Sequence, residues 1–234
     1  MKKIKICIVG NSVALRIRPR EEGARVYSTI LKDLISSSGK LDVTVLNLSV
    51  SRLITEEVNQ DKKHFLNNNQ DITIINLGCV DAPTREIPLW FSDIIFKRRG
   101  KVLFAIFNPI YQHVITRFRS KLVRVRGYKP WVPLKRFSIE IAEIISSLKG
   151  KNKIVVLGIN PGNQRIEDHL PKTLARYCSY NEVLKSLCKE DGITFISTSE
   201  LKSEEYFPDG VHYNRKGHQF IANKIYDILN LDSC

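Results

Sequence analysis

Near the C-terminus of this chain an aspartate and a histidine stand three residues apart, in Asp209-Gly210-Val211-His212, followed by Tyr213-Asn214-Arg215-Lys216-Gly217-His218. An imidazole acts as a base when a carboxylate holds one ring nitrogen and leaves the other free to take a proton. A D-x-x-H turn can deliver both groups to one place. The same residues, led by Pro208, also make an ordinary turn, so the pair gains weight only beside a third group. That group stands at the other end of the chain. Gly10-Asn11-Ser12 follows the first apolar run, and a serine hydroxyl near an oriented imidazole has the parts of a nucleophile with its base. The plainer reading of Ser12 is a helix cap.

The elements that must position these groups follow from the apolar pattern. Lys3–Val9, Asp42–Leu48, Asp71–Leu77, Lys153–Ile159 and Ile193–Ser197 are short, β-branched and nearly continuous apolar runs, the signature of buried strands. Helical spacing marks Arg20–Ser38, Thr55–Asn67, Phe137–Leu148, Thr173–Lys189 and Asn214–Leu229, the last with Asn214 as its cap and Phe220, Ile221, Ile225 and Ile228 on one face. Lys101–Phe107 reads equally as a fourth strand or as the start of a buried helix. Alternating strands and helices with fully apolar strands predict an α/β fold, a three-layer α/β/α sandwich with a mostly parallel sheet. At 234 residues the chain is long enough for one well-buried domain, and two are not required.

Sheets of this kind hold ligands beyond the carboxyl ends of their strands. The residues there are Gly10-Asn11-Ser12, Asn47 to Arg52, Gly78-Cys79-Val80-Asp81, Asn160-Pro161-Gly162-Asn163 and the Asp209–His212 loop. Asp81 reads as a turn residue or a pocket carboxylate. Arg85 reads as an anion binder or a solvated surface residue. Asn160 and Asn163 read as turn formers or pocket groups. His218 reads as structural or exposed. Cys79 has no adjacent histidine and is not a nucleophile candidate.

Composition narrows the function class. The net charge of +13 is concentrated: Lys97 to Arg136 holds twelve Lys and Arg and no acid, leaving 25 basic and 24 acidic residues elsewhere. The basicity therefore belongs to one elaboration, 97–136, and points to a local anionic partner. Val114, Ile115, Phe118, Leu122, Val123 and Val125 interleave with its charges, so it reads either as a packed amphipathic helix or as a surface for anionic membrane lipid or a lipid-linked glycan. Aromatics are not arrayed for base stacking, and nucleic acid is not expected. Five scattered cysteines predict a reducing compartment and no disulfide framework. No C-x-x-C or His/Cys cluster suggests a metal, and no cofactor is expected. The N-terminal run is short, interrupted by Lys5 and without a cleavage site, so it reads as a strand. The expected location is cytoplasmic, with the inner membrane face as a peripheral option.

With these blocks in this order, the sequence resembles the SGNH (GDSL-type) hydrolase family, whose fold is flavodoxin-like. Gly10-Asn11-Ser12 stands where that family has Gly-Asp-Ser, Gly78-Cys79-Val80-Asp81 where it has Gly-x-Asn-Asp, and Asp209-Gly210-Val211-His212 at its D-x-x-H block. The resemblance implies Ser12 as nucleophile, His212 as base, Asp209 as the residue orienting it, and the Ser12 N–H as an oxyanion donor. It implies a serine acyl hydrolase or O-acyltransferase; a carbohydrate ester is the expected substrate, and surface polysaccharide biosynthesis would suit the basic face. The expected oxyanion and substrate-binding set is Asn11, Ser51, Arg52, Gly78, Val80, Asp81, Arg85, Asn160 and Asn163. Two departures stand out. Ser51 or Arg52 takes the place of the family's second-block glycine, and Val80 replaces an asparagine donor, whose loss typically costs on the order of 10²–10³ in rate. The alternatives are a non-catalytic glycan- or phospho-ligand-binding protein, which Val80 favours, and a membrane-surface adaptor built on the basic segment.

Overall fold

A computed structural model describes residues 2–37, 39–96 and 101–229, with backbone alone at 101–103 and 106. Five strands, β1 (Lys2–Gly10), β2 (Leu41–Asn47), β3 (Ile72–Asn76), β4 (Lys153–Leu157) and β5 (Thr194–Ile196), form one sheet in the order β2-β1-β3-β4-β5. Every pairing is parallel, with Ile8 opposite both Asn47 and Ile74. Ile6, Ile8, Val9, Ile74, Ile75, Val155 and Leu157 are buried, as expected of strands covered on both faces. Helices α1 (Tyr27–Ser37) and α11 (Arg215–Leu229) pack together; α7 (Leu134–Leu148) packs on α2 (Thr55–Gln60) and α9 (Thr173–Glu190). This is the α/β architecture that the pattern of apolar runs predicts.

Two local differences have physical causes. The expected helix Arg20–Ser38 begins only at Tyr27: Gly23 takes φ +71, which ends any right-handed turn before it, and Ser38 lies outside the described residues. The expected helix Thr55–Asn67 is two, because Asp61 leaves helical geometry and its side chain caps α3 (Lys62–Leu66) by accepting from the His64 N–H. Lys101–Phe107 is helical, within α5 (Lys101–Ile110). Between β3 and α7 the chain also forms α4 (Leu89–Phe96), a π-helical turn at Tyr111–Ile115 and α6 (Arg119–Val125). A satellite core of Ile87, Ile95 and Tyr111 lies in this region. Residues 97–100 of the basic elaboration lie outside the described residues. The remaining helices are α8 (Gln164–His169) and α10 (Ser203–Tyr206).

Asn214 caps α11 by accepting from the Gly217 N–H at 2.9 Å. His218 in the same helix is fully buried: its Nδ1 accepts from the Tyr27 N–H and its Nε2 meets the Arg16 carbonyl, both at 3.1 Å. An N–H on one side and a carbonyl on the other fix the neutral tautomer with the proton on Nε2. Burial pulls its pKa down to about 4. His218 thus ties α11 to α1 and to the segment after Ser12.

Candidate active site

β1 runs into Gly10, where a Cβ would meet the Asn76 carbonyl and Ser49 Oγ at 3.0 Å, so only glycine fits without displacement. Asn11 follows, fully buried. Its Oδ1 accepts from the Val13 N–H at 3.2 Å and caps the short 3₁₀ turn Ser12–Ala14, with Cys79 Sγ donating to the same oxygen at 3.0 Å. Ser12 is therefore the first residue of a capped turn, and Asn11, not Ser12, is the cap. Asn47 at the end of β2 donates to the Ala14 carbonyl at 3.2 Å, and the Val50 N–H donates to the Gly10 carbonyl at 3.0 Å. These bonds lay the loop after β2 beside the serine.

The Asp209–His212 loop reaches the same edge of the sheet. His212 Nε2 lies 2.9 Å from Ser12 Oγ, and His212 Nδ1 lies 2.8 Å from Asp209 Oδ2. The other carboxylate oxygen, Oδ1, accepts from the Val211 and His212 N–H groups at 2.8 and 2.7 Å, so the loop is wrapped around its own acid. Gly210 permits this with φ +84; a Cβ there would run into Asn163 Oδ1 at 2.3 Å. Burial by itself would raise the Asp209 carboxyl, but the hydrogen bond and charge of His212 and the two backbone donors outweigh it and hold the group below the ordinary aspartate value. An ionised Asp209 accepts from Nδ1–H, which leaves Nε2 bare to accept the Ser12 hydroxyl proton.

Ser12 and His212 open onto a cleft of about 1010 Å³. Of the other residues expected at the site, Ser51, Arg52, Val80 and Arg85 line it. Arg52 holds φ +69, the left-handed backbone where glycine is at ease and which the family's second block fills with glycine. Its guanidinium covers the Phe96 ring at 3.7 Å and donates to Ser92 Oγ at 3.1 Å. Val80 is 6% exposed, and its carbonyl accepts from Arg85 Nη2 at 2.7 Å.

Five residues expected in the binding set are not part of the lining, and each has another occupation. Asn11 is spent on the serine turn. Gly78 takes φ +104 with Ile159 packed where a Cβ would go. Asp81 is fully buried and accepts from the Thr55 N–H and hydroxyl, both at 2.8 Å, at the start of α2; burial pushes its pKa up to about 6. Asn160 donates to the Val211 carbonyl at 2.8 Å, and Asn163 caps α8 while reaching the Pro208 carbonyl at 3.4 Å. The two asparagines brace the Asp209–His212 loop from behind. Cys79 does line the cleft, yet burial pushes its thiol up to about 12, so it is no nucleophile at neutral pH.

Sequence reasoning missed Arg16, Phe96, Tyr111, Tyr177 and an acidic edge of Glu57 and Asp61 in the lining. Arg16 carried a signal, four residues after Ser12, and its Nη2 donates to Ser51 Oγ at 3.1 Å. The others come from helices whose sequences show only packing periodicity.

The profile of the GDSL-like lipase/acylhydrolase family matches residues 8–220. The chain belongs to that family. Solved structures with this GDSL-like fold include a lipase/acylhydrolase from Enterococcus faecalis, at 14% identity and TM-score 0.66, covering 97% of this chain and 95% of that one. A variant of an acetyl xylan esterase from Geobacillus stearothermophilus is similar at 16% identity and TM-score 0.65, covering 97% and 94%. A psychrotrophic esterase from Pseudoalteromonas sp., inhibited by monoethylphosphonate, aligns at 14% identity and TM-score 0.58, covering 96% of each chain. At these identities the likeness is one of fold. No curated protein sequence matches the chain.

Proposed function

We propose that this GDSL-like protein is a serine esterase acting on acyl esters of carbohydrates, most simply acetyl esters. The observation that carries the reading is the unbroken relay from Ser12 Oγ through the His212 ring to Asp209, with links of 2.9 and 2.8 Å, at the edge of an open cleft. Ser12 Oγ attacks the ester carbonyl carbon while its proton passes to His212 Nε2, and Asp209 stabilises the imidazolium. The backbone N–H groups of Ser12 and Arg52 receive the oxyanion. The carbon–oxygen bond to the carbohydrate then breaks, with the Nε2 proton going to the leaving oxygen. Water repeats the cycle on the acyl-enzyme and releases the acid; an alcohol in its place gives acyl transfer. The carbohydrate assignment is supported by the polar edge of Glu57, Gln60 and Asp61 and by the acetyl xylan esterase among similar structures. The test compares hydrolysis of a small acetyl ester by wild type and S12A. The expected loss is on the order of 10⁶-fold, and equal rates would end the reading.

A second reading concerns where the enzyme works. Trp90, Phe104, Ile110, Val114, Phe118 and Val125 are exposed, Trp90 at 65% and Val125 at 84%, all in α4 to α6 and among the basic residues of 97–136 or just before them. Apolar side chains interleaved with lysine and arginine suit the face of an anionic bilayer. Among the described residues no helix is long and apolar enough to cross one. Co-sedimentation with phosphatidylserine vesicles, lost in phosphatidylcholine vesicles and at high salt, is the expected result. Binding indifferent to lipid charge, or none, would remove this reading.

A further inference from the structure

Resting on the esterase reading, we infer that the cleft selects esters whose carbohydrate carries one anionic group, a carboxylate or a phosphate, held by Arg85 and Arg52. The two guanidinium groups converge on one indole: Arg85 lies 4.0 Å and Arg52 5.2 Å from the centre of the Trp131 ring. Neither is ion-paired among the described residues. The nearby Glu86 is engaged otherwise, by Arg119 at 3.1 Å and the Tyr111 hydroxyl at 2.7 Å. Each guanidinium has five N–H donors. Arg85 places one on the Val80 carbonyl, while its buried Nε–H has no acceptor; Arg52 places one on Ser92.

Two like charges drawn out of water, which Glu86 and Asp93 act on without either bonding to them, are costly to the fold, where an apolar wall of the same shape would not be. Burial lowers both arginines from their usual pKa, yet from so high a start both stay charged at neutral pH. Their planar forks match the oxygen pairs of carboxylates and phosphates. They line the cleft that also holds Ser12 and His212, so the anion belongs to the molecule whose ester is attacked. Glu57 and Asp61 line the same cleft and would repel a second anionic group, while they accept from sugar hydroxyls. One charge on an otherwise neutral carrier fits this division.

The test uses the full chain and three acetyl esters on methyl glucoside, methyl glucuronide and methyl glucoside 6-phosphate. One of the anionic pair should exceed the neutral ester at least tenfold in kcat/KM, mainly through KM, and the choice between them tells carboxylate from phosphate. R85Q should shrink that preference and R85K should restore part of it. A neutral ester handled as well as both anionic ones, or an R85Q loss equal for all three, overturns the inference and leaves the esterase reading standing. If no ester is turned over, calorimetric titration with glucuronate, glucose 6-phosphate and glucose still decides. Tighter anion binding weakened in R85Q supports the subsite; no difference between anionic and neutral sugars removes it. Should R85Q fail to fold, the same three sugars are set to compete against wild-type turnover. Stronger inhibition by an anionic sugar then supports the subsite, and equal inhibition by all three removes it.

Discussion

Two loops of this protein each carry an aspartate just behind the lining of the cleft, and they treat the same side chain in opposite ways. In the loop before α11, Asp209 accepts two backbone N–H groups on one oxygen and the His212 ring on the other, and its carboxyl is held below the ordinary value. In the loop after β3, Asp81 is sealed from water; one oxygen caps α2 through Thr55, the other has no partner, and its pKa rises to about 6. Asp81 is the more deeply buried of the two, and Asp209 has donors on both of its oxygens; together these account for the difference. A firmly ionised carboxylate stands against the His212 ring, and an acid that titrates near pH 6 stands where the chain has an anchor. The loops differ in the same way in their surroundings: the first meets a histidine it can charge, the second leads into a wall of arginines.

The sharpest break of that contrast is D209N. An amide at this position presents the wrong partner to Nδ1 or forces the other tautomer, which carries the proton on Nε2 and faces Ser12 with a donor. The expected fall in kcat is on the order of 10⁴-fold with little change in stability. A fall below tenfold would mean that Asp209 only shapes the loop.

The next largest effect is on stability and isolates Asp81. Its folded pKa lies above the unfolded value, so its contribution is complete below about pH 3.8 and is lost as pH rises through 6. The difference amounts to about 3 kcal/mol. D81N keeps an oxygen for Thr55 and removes the titration. The stability of wild type relative to D81N should therefore fall between pH 4 and 7, read from urea midpoints. His218 works in the other direction: its lowered pKa gives stability that is full above about 6.5 and lost as pH falls toward 4. The two oppose each other in the wild type, and D81N should expose the rising slope of His218. Parallel pH profiles for wild type and variant would show that Asp81 titrates normally.

Much of this site was legible in the sequence, and the boundary has a physical meaning. The five strands, their parallel direction, the serine turn and the D-x-x-H loop are written in contiguous residues, through apolar runs, turn formers and local carboxylate–amide bonds. Asp81 was readable as an acid near the site but not as an anchor, because its partner Thr55 lies on another element. The arginine wall was illegible for the same reason: Arg52 and Arg85 acquire their setting from Trp131 and Phe96, brought in by α4 and by the segment before α7. Asp61 hid a helix break behind a continuous helical pattern, since a cap only competes with helix when the tertiary fold leaves the next turn free to start again. Sequence alone leaves His218 either structural or exposed, and the Tyr27 N–H and the Arg16 carbonyl that decide between them come from distant parts of the chain.

The smallest expected effect sharpens the comparison at Val80, where the loop after β3 approaches the chemistry. The family places an amide donor at this position, and here an isopropyl group lines the cleft instead. V80N adds a donor without disturbing the backbone, because the Val80 carbonyl stays on Arg85 and the cleft can admit water to satisfy the new amide. An oxyanion donor added to a working relay should raise kcat about tenfold or more, short of the 10²–10³ that an optimised donor supplies. KM should change little, since the gain appears only as charge develops on the carbonyl oxygen. An unchanged kcat in V80N alongside the full loss in S12A would mean that the oxyanion is held by the Ser12 and Arg52 amides alone. The loop after β3 would then serve only to carry Arg85 and to anchor α2, which would complete the separation of roles between the two aspartate loops.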